Sequence, residues 1–277
     1  MNKKSLSSVT PFQLLKGCVL SIIFLLAAGA LFLIFQEDEY TTSAQKWVYS
    51  IGTAGLLAAL GTLFLGIVTK EPSAAPSAPR PAWFYPLMAG ILGFLTMSLA
   101  YSYLGMYPVG DRTGMVVDMH HQYAPLLAQL REMLLHGGNP LYTFHVGLGS
   151  SFLPLFGYYL SSPFNLLLVF FPQDYLTEGI LLITLLKNAL TAAAFAACVQ
   201  YVYRRRDMSV CIMAIMYSMM MYLIAYSWNI MWLDCVMVLP IIILGFERLM
   251  RTGRYTVYVL SLAYALFANY YIGFMLC

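Results

Sequence analysis

One stretch, 110–151, holds most of the side chains that could do chemistry in water: GDRTGMVVDMHHQYAPLLAQLREMLLHGGNPLYTFHVGLGSS. It carries Asp111, Asp118 and all 4 histidines, His120, His121, His136 and His145. From Asp118 onward the pattern turns amphipathic. Leu126, Leu127, Leu130, Met133 and Leu134 fall on one face of a helix, Gly137-Gly138 end it, and Asn139-Pro140 turn the chain. The pattern predicts a helix lying in a membrane interface, with Asp118 at its start. A carboxylate there could accept a proton from a hydroxyl, help hold a divalent cation such as Mg or Mn, or simply cap the helix. Asp111 is near enough in sequence to face the same cleft; a turn residue at the membrane exit is the plainer reading. His120, His121 and Gln122 are candidates for substrate or phosphate contact. The two histidines point about 100° apart on a helix, which argues against a shared metal. His136 reads as structural, at a helix end whose dipole favours a cation. Gly147-Leu-Gly149-Ser-Ser151 lacks the lysine of a P-loop and reads as a turn or a weak anion nest.

Three further clusters lie outside that stretch. Lys187, next to Asn188, is a cation inside an apolar run, which makes it a candidate for a lipid-linked phosphate, with snorkelling or an internal partner as the plain alternative. The segment YSWNIMWLD holds Trp228, Asn229, Trp232 and Asp234. Its aromatics suit either a membrane belt or stacking on a sugar ring, and Asp234 suits a helix start. Asn269 with Tyr270-Tyr271 suits either helix packing or substrate contact.

The elements that must position these groups are membrane helices. The chain has 277 residues, 61% hydrophobic and 10% charged, against roughly a quarter charged in a soluble domain. Runs of about 20 apolar residues or more mark membrane spans. The expected fold class is all-α and polytopic, with about seven spans near 17–35, 47–68, 83–106, 179–203, 208–226, 233–250 and 255–277. The expected organisation is a two-helix hairpin over 1–69, a Pro/Ala-rich linker over 70–82, and a membrane domain over 83–277 whose first large loop covers 107–178. The 5 cysteines are scattered and form no C-x-x-C pair. The basic start of the first apolar run resembles a signal peptide, but its length favours a retained anchor. The ending ANYYIGFMLC stops inside an apolar run, the pattern of an N-terminal fragment that would not act alone.

The segment 152–171 is long enough to cross, yet it contains Pro154, Ser161, Ser162, Pro163 and Asn165. If it does not cross, eleven of the 15 Lys+Arg collect on one side, including Arg204–Arg206, Arg248, Arg251 and Arg254, while nine of the 12 acids collect on the other. Basic loops stay cytoplasmic. The expectation is therefore a re-entrant or interfacial hairpin on the outer face, a cytoplasmic N-terminus, and an extracytoplasmic meeting of the loop with the ends at 226–234 and 269–271.

Several blocks together, DMHHQYAPLLAQL, NPLYTFHVGLGSSF, YYLSSPFNLLLVFFP, WLD-x5-LP-x4-GFERL and NYYIGFM, resemble the YfhO family of bacterial membrane proteins over about 83–277. The resemblance implies a GT-C-like glycosyltransferase fold. It also implies transfer of a sugar from a polyprenyl-phosphate donor to a cell-wall polymer such as teichoic acid outside Gram-positive cells. An aspartate of the first outer loop would then be the base or part of a metal site, here Asp118 or Asp111. Arg112, Lys187 or a cation would steady the leaving phosphate. The implied partners are donor, acceptor polymer and lipid bilayer, with no nucleic acid. Two rival readings are a transporter or lipid flippase for envelope precursors and a non-catalytic scaffold. Polar groups gathered at one face argue against the transporter, because transport sites tend to lie near the midplane on broken helices.

Overall fold

The computed structural model describes residues 80–277 apart from Pro108, and part of 47–55. The expected span at 17–35, most of that at 47–68, and most of the 70–82 linker lie outside the described residues. The described chain is mostly helical. Two helices are long and apolar enough to cross a membrane: α1 (Phe84–Tyr103) and α4 (Leu176–Val202) with its lead-in turn from Gln173. α4 is the centre of the bundle and packs against α1, α5 (Met208–Ser218) and α7 (Leu233–Thr252). Small residues allow the closest approach. Gly90 and Gly93 of α1 face Ala189, Ala192 and Ala193 of α4, and a Cβ on Gly93 would lie 2.9 Å from that of Ala192.

Among the described residues, two of the expected spans are not single helices. The segment expected at 208–226 is α5 followed by α6 (Met221–Ala225), broken at Met219-Met220. The segment expected at 255–277 is α8 (Thr256–Ala268) followed by α9 (Tyr270–Met275), broken at Asn269. Breaking a helix in an apolar setting frees backbone carbonyls, which need internal donors. Both breaks have them. Asn188 Nδ2 donates to the Ser218 carbonyl at 2.7 Å, and Ser161 Oγ donates to the Ala268 carbonyl at 2.9 Å. α7 also runs unbroken, through Pro240 to Gly253 in the left-handed region (φ 72°), but it carries charges at both ends.

The segment 152–171 is not one straight helix. Phe152–Leu160, made of α3 (Phe152–Leu155) and a wider π turn, meets the 3-10 helix Pro163–Phe170 at 95°. The bend falls on Ser161-Ser162, and Asn165 Nδ2 holds it by donating to the Leu160 carbonyl at 3.0 Å.

The loop before this hairpin is folded. A π-helical turn (Met119–Tyr123) leads into α2 (Ala124–His136), which ends at Gly137 with φ 79°. Leu126, Leu127 and Leu130 are buried, as their spacing predicts, but they are buried in protein: they join Phe152, Leu160 and Leu168 of the hairpin and Ile180 and Ile183 of α4 in one core. The helix expected in a lipid interface thus spends most of its apolar face on the bundle. Beyond it, β1 (Tyr142–Thr143) pairs antiparallel with β2 (Ser150–Ser151), and Gly147 and Gly149, both at positive φ, make the turn between them.

Candidate functional site

The sequence places its chemistry in separate segments, and the fold joins several of them through tyrosines. Asp118 begins the π-helical turn, half-buried, and its side chain makes no capping bond. Five residues on, the Tyr123 hydroxyl donates to Asn229 Oδ1 at 2.9 Å, tying the loop to the segment before α7. The Tyr123 ring lies parallel to Trp228 (6.2 Å between centroids, 9° between planes) and 5.5 Å from Tyr159. Gln122 Nε2 donates to the Tyr159 hydroxyl at 2.9 Å. Tyr159 touches Tyr158, which in turn meets Tyr270 at 5.7 Å and Tyr271 at 6.2 Å. Asn269 is buried. Its Nδ2 donates to the Tyr158 carbonyl at 2.9 Å, and its Oδ1 accepts from Ile272 N at the start of α9.

A continuous aromatic wall therefore runs from Trp232 through Tyr226, Trp228, Tyr123, Tyr159 and Tyr158 to Tyr270. Asp118 lies close enough to act on it. Burial first, and the Asp118 charge second, push the Tyr123 phenol above the ordinary tyrosine range, so it keeps its proton and remains a donor. Two donors beside the wall, Asn229 Nδ2 and Trp232 Nε1, are buried and find no acceptor among the described residues. Buried unpaired donors call for an explanation, and a ligand or ordered water is the usual one.

Not every candidate reaches this cluster. His120 and His121 are exposed, packed edge to face at 5.0 Å. Asp111 and Arg112 lie in an exposed turn closed against the end of α1, where Arg112 N donates to the Gly105 carbonyl and Nη1 approaches that of Leu104 at 3.5 Å. Lys187 and Asp234 form a layer of their own beneath the wall. Both are fully buried; Lys187 Nζ is 2.6 Å from Asp234 Oδ2 and donates to the Ile230 carbonyl at 2.8 Å. Asp234 Oδ1 accepts from Ser162 at 3.0 Å and Tyr264 at 2.7 Å. A cavity that Lys187 lines holds only about 10 Å³, too little for a lipid phosphate. Asp234, read from sequence as a helix start or sugar contact, is the hub of this network.

The residues that sequence reasoning passes over are Tyr123, Tyr158 and Tyr159, and the Asp234 partners Ser162 and Tyr264. Tyrosine in an apolar run reads as an interface belt. The signal that was present is the Gly-Tyr-Tyr-Leu-Ser-Ser-Pro string, whose helix-breaking polar groups require partners.

Among the described residues no three carboxylate, imidazole or thiolate groups converge into a protein-only metal cage. Hydrated Mg²⁺ does not need one, since it takes one or two carboxylates and completes its shell with water and substrate phosphate. No curated protein and no solved structure matches the chain. A family model described as bacterial membrane protein YfhO matches residues 89–277, which include every element of the site, and the chain belongs to that family.

Proposed function

We propose that the protein is a GT-C-like membrane glycosyltransferase. It would move a sugar from a polyprenyl-phosphate donor to an extracytoplasmic cell-wall polymer, of which teichoic acid is the example. The observation that carries this reading is the junction of Gln122, Trp228, Asn229, Asn269 and Tyr270 around three tyrosines at one end of the bundle, with Asp118 at the start of the turn that holds Tyr123. In the proposed reaction the Asp118 carboxylate takes the proton of an acceptor hydroxyl. That oxygen bonds to the anomeric carbon as the bond from the carbon to the phosphate oxygen breaks, and polyprenyl phosphate leaves with the electron pair. The aromatic wall offers stacking surface for the sugar, and Asn229 and Trp232 offer donors to its hydroxyls. A Mg²⁺ or Mn²⁺ would supply charge stabilisation at the phosphate, with Asp118 at the junction and Asp111 on the exposed turn before it as the carboxylates that would hold it. Arg112, on that same turn, is the protein cation we assign to the leaving group, which requires the turn to close on the junction, and Lys187 we assign to the frame.

The wall-facing placement of this end rests on the basic residues of the opposite end, Arg204–Arg206 and Arg251, which fit the cytoplasmic face. Both ends of the hairpin stay with the loop, Phe152 N donating to the Leu141 carbonyl and Arg131 Nε to that of Phe171, which supports the same sidedness, because a segment that starts and ends at one face leaves the parity of the later helices unchanged. The divisions 1–69, 70–82 and 83–277 remain our working organisation. The test is the sugar content of wall polymers in a strain carrying Asp118→Ala in the full-length gene. Loss of the modification with normal protein levels is expected, and unchanged glycosylation would end the role of Asp118.

One observation favours a flippase or transporter instead: the buried Lys187–Asp234 pair sits beside helices broken at 219–220 and 269, and broken helices are a transporter device. The pair's mutual satisfaction argues for a frame. Purified full-length protein that moves the lipid-linked sugar across vesicles but transfers none of it would establish the transporter.

A further inference from the structure

A second concavity lies beside the aromatic wall. It is a groove of about 860 Å³, within the usual range of small-molecule sites. One wall is the end of the π-helical turn and α2, from His121 to His136, and the other is the β1–β2 hairpin. Gln129 Nε2 bridges them by donating to Thr143 Oγ1. At 1.5 Å per residue the α2 wall is roughly 20 Å long, the length of a short chain rather than a single ring.

The lining chemistry is selective. Among the described residues no lysine or arginine lines the groove. Its one carboxylate, Glu132, pairs with His136 at 2.9 Å and Arg131 at 2.7 Å. A polyanion would thus meet a carboxylate whose permanent cation, Arg131, is already paired with it. The remaining polar side chains are carboxamides, imidazoles and two hydroxyls, all hydrogen-bonding groups. Gln129 Oε1 is buried in the wall and finds no donor among the described residues; a ligand hydroxyl or an ordered water is the usual partner of such an atom. At the rim, Tyr142 and Phe144 pack edge to face at 5.0 Å, and Phe144 is 78% exposed, an apolar platform for the C–H face of a sugar ring.

We infer that this groove binds an uncharged, hydroxyl-rich glycan segment. The inference deepens the transferase reading and rests on it for one step only. Gln122 lines the groove and bonds Tyr159, so a chain lying there would bring its end to Asp118 as the acceptor. The groove selects the sugar portion of the acceptor, not a phosphate-bearing backbone.

The test uses the purified full chain in nanodiscs and saturation-transfer NMR with maltopentaose, chitotetraose and a galactan tetramer, each also challenged with inorganic phosphate. At least one oligosaccharide should bind without competition from phosphate. Gln129→Leu and Phe144→Ala should each weaken it about tenfold, as expected for one lost contact; Phe144 is on the rim, so its variant tests the site without disturbing the fold. Asp118→Asn should leave binding intact while removing transfer, which separates this inference from the catalytic one. Binding by none of the three, binding unaffected by both groove variants, or displacement by phosphate would overturn it.

Discussion

Asp118 makes no capping bond and is only half-buried, so its removal should touch chemistry more than stability. Asp118→Asn is expected to cut transfer by about 10²–10⁴-fold, the usual weight of a general base. Its unfolding free energy should stay within roughly 0.5 kcal/mol of the parent. A transfer assay beside a denaturation curve in the same detergent checks both. Tyr123→Phe should behave in the opposite way. It orphans Asn229 Oδ1 inside the protein, costing about 1–3 kcal/mol, and loosens the join between the loop and the start of α7. At this scale the sequence was informative wherever a polar residue interrupts apolar surroundings. Asp118, Asn229 and Asn269 stand out for that reason, and all three lie at the junction. Tyr158 and Tyr159 did not stand out, because a tyrosine pair in a hydrophobic run looks the same facing lipid or facing a site. Lys187 was visible as an anomaly, but its partner Asp234 is 47 residues away, and nothing local ties the two together.

The elements depend on that pair. Lys187→Met leaves the Asp234 carboxylate buried and uncompensated, and should cost about 3–5 kcal/mol in thermal unfolding. Adding Asp234→Leu should recover most of the loss, since two matched apolar groups leave no stranded charge. A double variant no more stable than the single one would show that the network with Ser162 and Tyr264 does more than balance charge. The α7–α8 contact makes a second demand. A Cβ on Gly245 would fall 2.5 Å from Tyr258 N and 2.7 Å from Tyr258 Cα, both backbone atoms that cannot move aside alone. Gly245→Ala should therefore force the helices apart and cost about 1–3 kcal/mol, read from the same melts. Helix positions were legible from apolar runs, since hydropathy reports burial in lipid or protein alike. The breaks at 219–220 and 269 were not, because what permits them is a distant donor, Asn188 in one case and Ser161 in the other. The same limit explains α2: its leucine spacing announces an apolar face but not whether lipid or protein covers it.

For the whole molecule, the proposal requires that position 118 and positions 204–206 lie on opposite sides of the bilayer. Single cysteines there should label differently in intact cells: Asp118→Cys with an impermeant reagent, Arg205→Cys only after permeabilisation. Labelling of both from the same side would remove the topology on which the extracytoplasmic reaction depends. The expected sidedness rests on where arginines and lysines collect and not on how helices pack, so this labelling is its test. The bent hairpin adds a constraint in time. Its Ser161 hydroxyl is met by a carbonyl 107 residues further along, and the Tyr158 carbonyl by an amide 111 residues further along. During synthesis the hairpin leaves the ribosome well before either partner exists, so its exposed backbone must wait in water or beside other polar groups until α8 arrives. The aromatic wall is therefore a late product of assembly, and a nascent chain halted before Asn269 should keep residues 152–170 open to protease and to aqueous labels.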